Sequence, residues 1–220
     1  MARRRAGGDG DPATLAARLD RADLDLIRGQ LDAAEPAYRA LLDECRVRLG
    51  PNHRQTLWAA DHLAEIVERR GDPAAAAPMY RAVVDGARAA GVRAWLNDGL
   101  MDLSRAEITL KAWPEAEAHA REALALFQAS QPHGWPTYHA RSVLGAALLG
   151  QGKTAEAGPL LRSGYEGLAK RRDAIPAHFR PRVAEALDRL IAWGEAAGTK
   201  AELAAWKAER VKLATGGPKP

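Results

Sequence analysis

Every forty-odd residues this chain interrupts a helical pattern and restarts it with the same chemistry. GQLDAAEPAYRALL from Gly29, GDPAAAAPMYRAVV from Gly71 and GKTAEAGPLLRSGY from Gly152 line up on a helix break and an Ala-rich restart. KAWPEAEAHAREAL from Lys111 is a weaker copy, and GTKAELAAWKAER from Gly198 is a fifth. The breaks at 29, 71, 111, 152 and 198 stand 42, 40, 41 and 46 residues apart. A period of this size suits a helical unit that cannot bury its apolar face alone and must stack on its neighbours.

The chemistry inside each copy agrees. An Ala lies five residues after the break (Ala34, Ala76, Ala116, Ala157), and Tyr38, Tyr80, Ala120 and Leu161 follow four later. Positions four apart share a helix face, so the Ala admits a partner helix and the larger residue fills the space one turn on. The fifth copy slips, with Leu203 and Trp206, as a terminal variant. Upstream of each break runs another apolar stripe, such as Leu63, Ala64, Ile66 and Val67, or Leu103, Ala106 and Leu110. Each repeat is therefore a helix A, a tight turn, a helix B and a connector. Gly29, Gly71, Gly152 and Gly198 fall where a helix C-terminus favours positive φ.

These patterns predict A and B helices over 13–28 and 32–49, 54–70 and 73–90, 94–110 and 114–129, 136–150 and 154–172, and 178–196 and 200–213. No stretch alternates with the two-residue period of a strand. The expected fold is all-α, an α-solenoid of about five helical hairpins in a right-handed superhelix. It spans 13–213, between mobile segments at 1–12 and 214–220 that are rich in Gly, Pro and charge.

Composition excludes several alternatives. Hydrophobic residues make up 47% and charged residues 27%, enough to build a core, while aromatics at 5% leave that core to Ala and Leu. The net charge of +4 is interspersed, with only Arg3-Arg4-Arg5 and Lys170-Arg171-Arg172 as basic runs, which argues against nucleic acid. The lone Cys45 sits in an apolar helical stripe and reads as a small core residue. The basic opening has no apolar stretch behind it, and no run approaches a membrane span, so a cytoplasmic location is expected.

The Gly-x4-Ala-x3-Tyr core after a Leu-Gly or Leu-Ala helix resembles the tetratricopeptide repeat. LGPNHRQTLWAADHLAEI, from Leu49 to Ile66, is similar to a string of the long, kinesin-light-chain-like variety. The stretch from Gly134 to Pro176 resembles the last repeat of the regions that follow bacterial serine/threonine kinase domains. The resemblance implies a protein-binding scaffold in bacterial signalling, possessing no kinase motif of its own. The family's paired Asn on helix A is replaced by Asp61-His62 and Met101-Asp102. Thr14 to Arg28 departs too, with Arg21 where the repeat wants Leu, yet Leu15, Leu19, Ala22 and Leu26 still make a capping stripe.

Chemical motifs dissolve into structural roles. LLGQGKT, from Leu148 to Thr154, ends like a phosphate loop but has Ala147 at the first Gly position and a helix before it. No two histidines have the spacing for zinc on one helical face. His62 with Glu65, and Glu115 with His119, are expected surface pairs. No metal, cofactor or catalytic group is expected. Trp113, Trp193 and Trp206 read as packing between repeats, and Trp95 and Trp135 as wedges opening A helices.

Setting Gly71 at the repeat's fifteenth position puts Trp58, Asp61, Glu65 and Glu68 on the inner face of helix A. The same alignment adds Met101 and Arg105 from the third repeat, then His139 and Ser142 from the fourth. Such a wall suits a peptide or partner protein. RNA binding through helical repeats, or an enzyme with a site in the groove, are the alternatives, and the groove's charge separates RNA from peptide.

Overall fold

The structure, a computed structural model, describes residues 11–215. The tails expected over 1–12 and 214–220 lie outside that range except at their inner ends, where the first helix starts and the last one stops. The described residues form ten α-helices and no strand. They are α1 (Pro12–Ile27), α2 (Leu31–Leu49), α3 (Arg54–Arg69), α4 (Pro73–Ala90) and α5 (Arg93–Thr109). α6 (Trp113–Ser130), α7 (Trp135–Gly150), α8 (Thr154–Ala169), α9 (Pro181–Ala197) and α10 (Lys200–Ala214) follow. Two short 3-10 turns, Arg172–Ala174 and Ala177–Phe179, bridge α8 and α9, which end at Ala169 and start at Pro181 inside the expected bounds of 172 and 178. Pro176 and Pro181 flank the second of these turns, and the residue before a proline is biased away from helix.

The periodic breaks are one repeated device. Gly29, Gly71, Gly152 and Gly198 have φ of 75°, 91°, 76° and 73°. In each case the next residue's N–H reaches back five positions: Gln30 to Asp25, Asp72 to Val67, Lys153 to Leu148, Thr199 to Gly194. That is the Schellman closure, which satisfies a carbonyl the helix end would otherwise orphan. The weak third copy makes the same closure, Ala112 to Glu107, with Lys111 forced to φ 60°.

The chain divides into two compact units at Ala106 and Glu107, inside α5. In the first, α1 packs on α2 and α3, and α3 on α2 and α4. Its core joins Leu15, Leu19, Ala22 and Leu26 of α1 to Tyr38, Leu41, Leu42 and Cys45 of α2 and to Ala59, Leu63 and Ile66 of α3. The stripe assigned to α1 is thus the buried one. Cys45 is fully enclosed, and burial pushes its thiol up.

In the second unit α7 is the hub, packed by α6, α8 and α9, with α10 on α9. Large rings sit on glycines here. A Cβ at Gly150 would lie 2.3 Å from the Trp113 ring, at Gly158 2.4 Å from Trp193, and at Gly194 2.8 Å from Trp206. Trp113 and Trp193 therefore pack between repeats as expected, while Trp206 packs on its own hairpin partner α9. Lys153 lies in the α7–α8 turn and pairs with Glu117 at 2.8 Å, so the Gly-Lys-Thr string is a hairpin turn.

Candidate functional site in the first unit

The A helices of the first unit carry a polar face that their cores do not explain. On α3, Trp58, Asp61, Glu65 and Glu68 are spaced i, i+3, i+7 and i+10, which is one helical face. On α5, Trp95, Asp98, Asp102 and Arg105 repeat that spacing.

The two stripes meet rung by rung. The rings of Trp58 and Trp95 stand 6.0 Å apart. Asp61 lies in the field of Asp98 and Asp102. Arg105 pairs with Glu68 at 3.5 Å and with Asp102 at 2.5 Å.

α1, α2 and α4 close the arrangement. Asp23 accepts from the Trp58 indole at 3.3 Å, from the Tyr38 hydroxyl, and faces His62 Nε2 at 3.5 Å. His62 Nδ1 stands 3.3 Å from Glu65, which Arg69 also pairs at 2.5 Å. Tyr80 donates to Glu68 at 2.9 Å. Six carboxylates, of Asp23, Asp61, Glu65, Glu68, Asp98 and Asp102, therefore stand against Arg69, Arg105 and His62. The face is acidic.

Protonation follows from that imbalance. Burial, with Asp102 and Asp98 nearby, holds the Asp61 carboxyl well above the usual range, although His62 opposes this. Asp61 is only 5% exposed and its Oδ1 has no hydrogen-bond partner. Asp98 reaches solvent, yet the protein crowded around it and then Asp102 push it up to about 7. Burial opposes the charge on both members of the His62–Glu65 pair. The attraction between them wins, raising His62 and, with Arg69 and Arg105, lowering Glu65 to about 2.

Stability should follow these shifts. Asp61, Asp98 and His62 bind protons more tightly folded than unfolded, so their contribution is present at low pH and lost as pH rises through their folded values. Glu65 has the opposite sign, with its loss confined below its unfolded value of 4.5. The midpoint of thermal unfolding of the first unit should rise from pH 8 to pH 5. The Asp61→Asn/Asp98→Asn variant should flatten that slope; an unchanged slope would refute the assignment.

Not every expected residue lies on this face. Met101 is as buried as Asp61, at 5% exposure, and adds no charge to the face. His139 and Ser142 belong to the second unit, where both are buried in α7. Ser142 is enclosed, 3.4 Å from Arg189, and His139 lies beside Trp135, which packs on Phe179. Asp23, Asp102, Trp95 and Asp98 belong to the face and are not among the residues expected there. The signal for the last two was the recurrence of Trp-x2-Asp at 58 and 95, offset 37 rather than 40 residues. The surface pair expected between Glu115 and His119 does not form. His119 Nδ1 stands 2.8 Å from Glu107 of α5, a buried carboxylate that offers a closer partner.

The hairpins and their repeated closures define an all-α helical-repeat fold like that of tetratricopeptide-repeat structures. The tetratricopeptide repeat family model matches residues 13–89 directly. By structure, the chain is similar to the nearly identical TPR-like repeats assigned to a kinesin light chain of Podosopora anserina. There the TM-score is 0.69 at 17% identity, over 92% of this chain and 95% of that one. It is also similar to BtubC (BKLC) of P. vanneervenii, with TM-score 0.71 at 21% identity, over 96% of this chain and 85% of that one. A Rap protein complexed with Competence and Sporulation Factor gives 0.63 at 14%, over 94% and 66%. No curated protein matches the chain by sequence. Among the described residues no helix is long and apolar enough to cross a membrane.

Proposed function

We propose that the chain is a non-catalytic scaffold that holds a peptide or partner protein against the inner face of its A helices. The observation that carries this reading is the paired stripe of Trp58, Asp61, Glu65 and Glu68 with Trp95, Asp98, Asp102 and Arg105. It joins aromatic surface to more charge than packing requires. A Rap protein of the same fold is seen complexed with a factor, which supports a binding role for such a stack. Met101, also assigned to the groove by the sequence, would act beneath the surface by shaping α5, and His139 and Ser142 would do the same for α7 within the second unit.

An acidic face favours protein over RNA, since a phosphate backbone is drawn to Lys and Arg. Catalysis is disfavoured because His62, Glu65 and Glu68 are each engaged by neighbouring side chains. The setting we infer is bacterial and cytoplasmic, in a signalling pathway of the serine/threonine kinase kind, as the sequence resemblance implies.

Affinity capture from a lysate with the wild type and with Trp58→Ala/Glu65→Lys tests the reading. Partners recovered by the wild type should be depleted at least about tenfold with the folded variant, the loss of one central contact of about 1.4 kcal/mol. Equal recovery would contradict it.

A further inference from the structure

Resting on that reading, we infer that the partner presents an arginine side chain, laid against the Trp58 and Trp95 rings with its guanidinium on Asp61 and Asp98. The occupant is a basic segment of a protein.

Four observations converge. The first is Asp61 itself, a nearly buried carboxyl whose Oδ1 has no partner inside the protein. Leaving a buried acceptor unsatisfied is destabilising, and a bound donor would relieve it. It faces the cluster, because Asp98, Asp102, His62 and Glu65 are the charges that act on it. The second is Asp98, which no described cation pairs, while its neighbours Asp102 and Glu68 share Arg105.

The third is the aromatic pair one helical turn away on both stripes, partly exposed, with ring centroids 6.0 Å apart. Two carboxylates beside two indoles offer what a planar cation uses, a bidentate acceptor at its head and π faces along its body. The fourth is charge. This chain carries +4 overall, so an acidic face on it is a local feature and steers a basic segment to one place.

Arginine is favoured over lysine because its fork satisfies both carboxylates while its plane stacks on indole. A metal ion is the weaker occupant. Among the described residues no three His, Cys, Asp or Glu side chains are placed to hold one.

Proton release should accompany binding. The groups facing the seat are Asp23 of α1, Tyr38 of α2, His62, Glu65 and Glu68 of α3, Tyr80 of α4, and Asp98, Asp102 and Arg105 of α5. The raised carboxyls among them must ionise to receive a guanidinium, so affinity should increase between pH 6 and pH 8. Ordinary carboxylates with no histidine beside them would show no such rise, being already ionised at pH 6.

The experiment uses the full chain with labelled nona-arginine, nona-lysine and nona-glutamate, read by fluorescence anisotropy at low ionic strength. Nona-arginine should bind most tightly. Asp61→Asn/Asp98→Asn should weaken it by about tenfold or more, and Trp95→Ala by about threefold to tenfold. Removing two acids elsewhere, Asp85→Asn/Glu115→Gln, should change it less than about twofold. The Asn variants should stay folded, because they remove carboxylates that the fold holds against ionisation. Circular dichroism checks this.

Undiminished affinity in Asp61→Asn/Asp98→Asn would overturn the arginine seat, as would a preference for nona-glutamate or an affinity flat with pH. The scaffold reading would survive any of these if lysate capture still depended on Trp58 and Glu65. It fails separately if capture does not.

Discussion

Tyr80→Ala should destabilise the first unit by about 4 kcal/mol, the largest loss expected from any single truncation on its polar face. Tyr80 is fully buried on α4, and its hydroxyl donates to Glu68 of α3 at 2.9 Å. Truncation removes an aromatic ring from a close-packed site and leaves a cavity the helices cannot wholly collapse. It also strips Glu68 of a donor, leaving the carboxylate to Arg105 alone at 3.5 Å. Tyr80→Phe separates the two effects. It keeps the ring and should cost about 1–2 kcal/mol for the lost hydrogen bond. Denaturant titration should rank Tyr80→Ala well below Tyr80→Phe. Equal losses would mean that the hydroxyl, not the packing, carries the position.

Gly164→Ala should cost the second unit about 2 kcal/mol, although alanine is the better helix former by about 1 kcal/mol. A Cβ there would lie 2.8 Å from the Ser142 amide nitrogen and 2.9 Å from the Tyr138 carbonyl oxygen. Both are backbone atoms of α7, so no side-chain rotation relieves the clash and the two helices must separate. Gly86→Ala in α4 provides the contrast. The nearest atom is the Leu57 side-chain tip, 2.7 Å away, which can move. That substitution should lie within about 1 kcal/mol of wild type. If the two alanines cost the same, close approach of α7 and α8 is not what Gly164 secures.

Much of the fold was legible because it depends on local chemistry repeated in sequence. The breaks at Gly29, Gly71, Gly152 and Gly198 announce left-handed residues, and each is one. The α1 stripe of Leu15, Leu19, Ala22 and Leu26 buries as its spacing requires. Lys111 was harder, because nothing in a lysine signals positive φ; only its place in the period did.

The acidic face was half legible. Trp58, Asp61, Glu65 and Glu68 followed from one helix's periodicity. Their partners on α5 depend on the register of two helices, and an alignment on the breaks selects Met101 in place of Asp98. Residues such as Asp23 and His62 join through side chains that converge from different repeats. Ser142 and His139 illustrate the converse, since a face that is inner in one repeat is covered by packing in another. Thr56 and Thr137 show how far the repeat persists beneath such differences. They stand 81 residues apart, and each donates to a carbonyl six residues upstream, Gly50 at 2.7 Å and Gln131 at 2.6 Å.

Six indole N–H groups make the central claim directly measurable, because each tryptophan gives its own proton–nitrogen resonance. Titrating the labelled chain with nona-arginine should move the signals of Trp58 and Trp95, identified by Trp→Phe variants. The signals of Trp113, Trp193 and Trp206, packed on glycines in the second unit, should stay in place. Movement confined to those three, or no movement at saturating peptide, would contradict an arginine seat between α3 and α5.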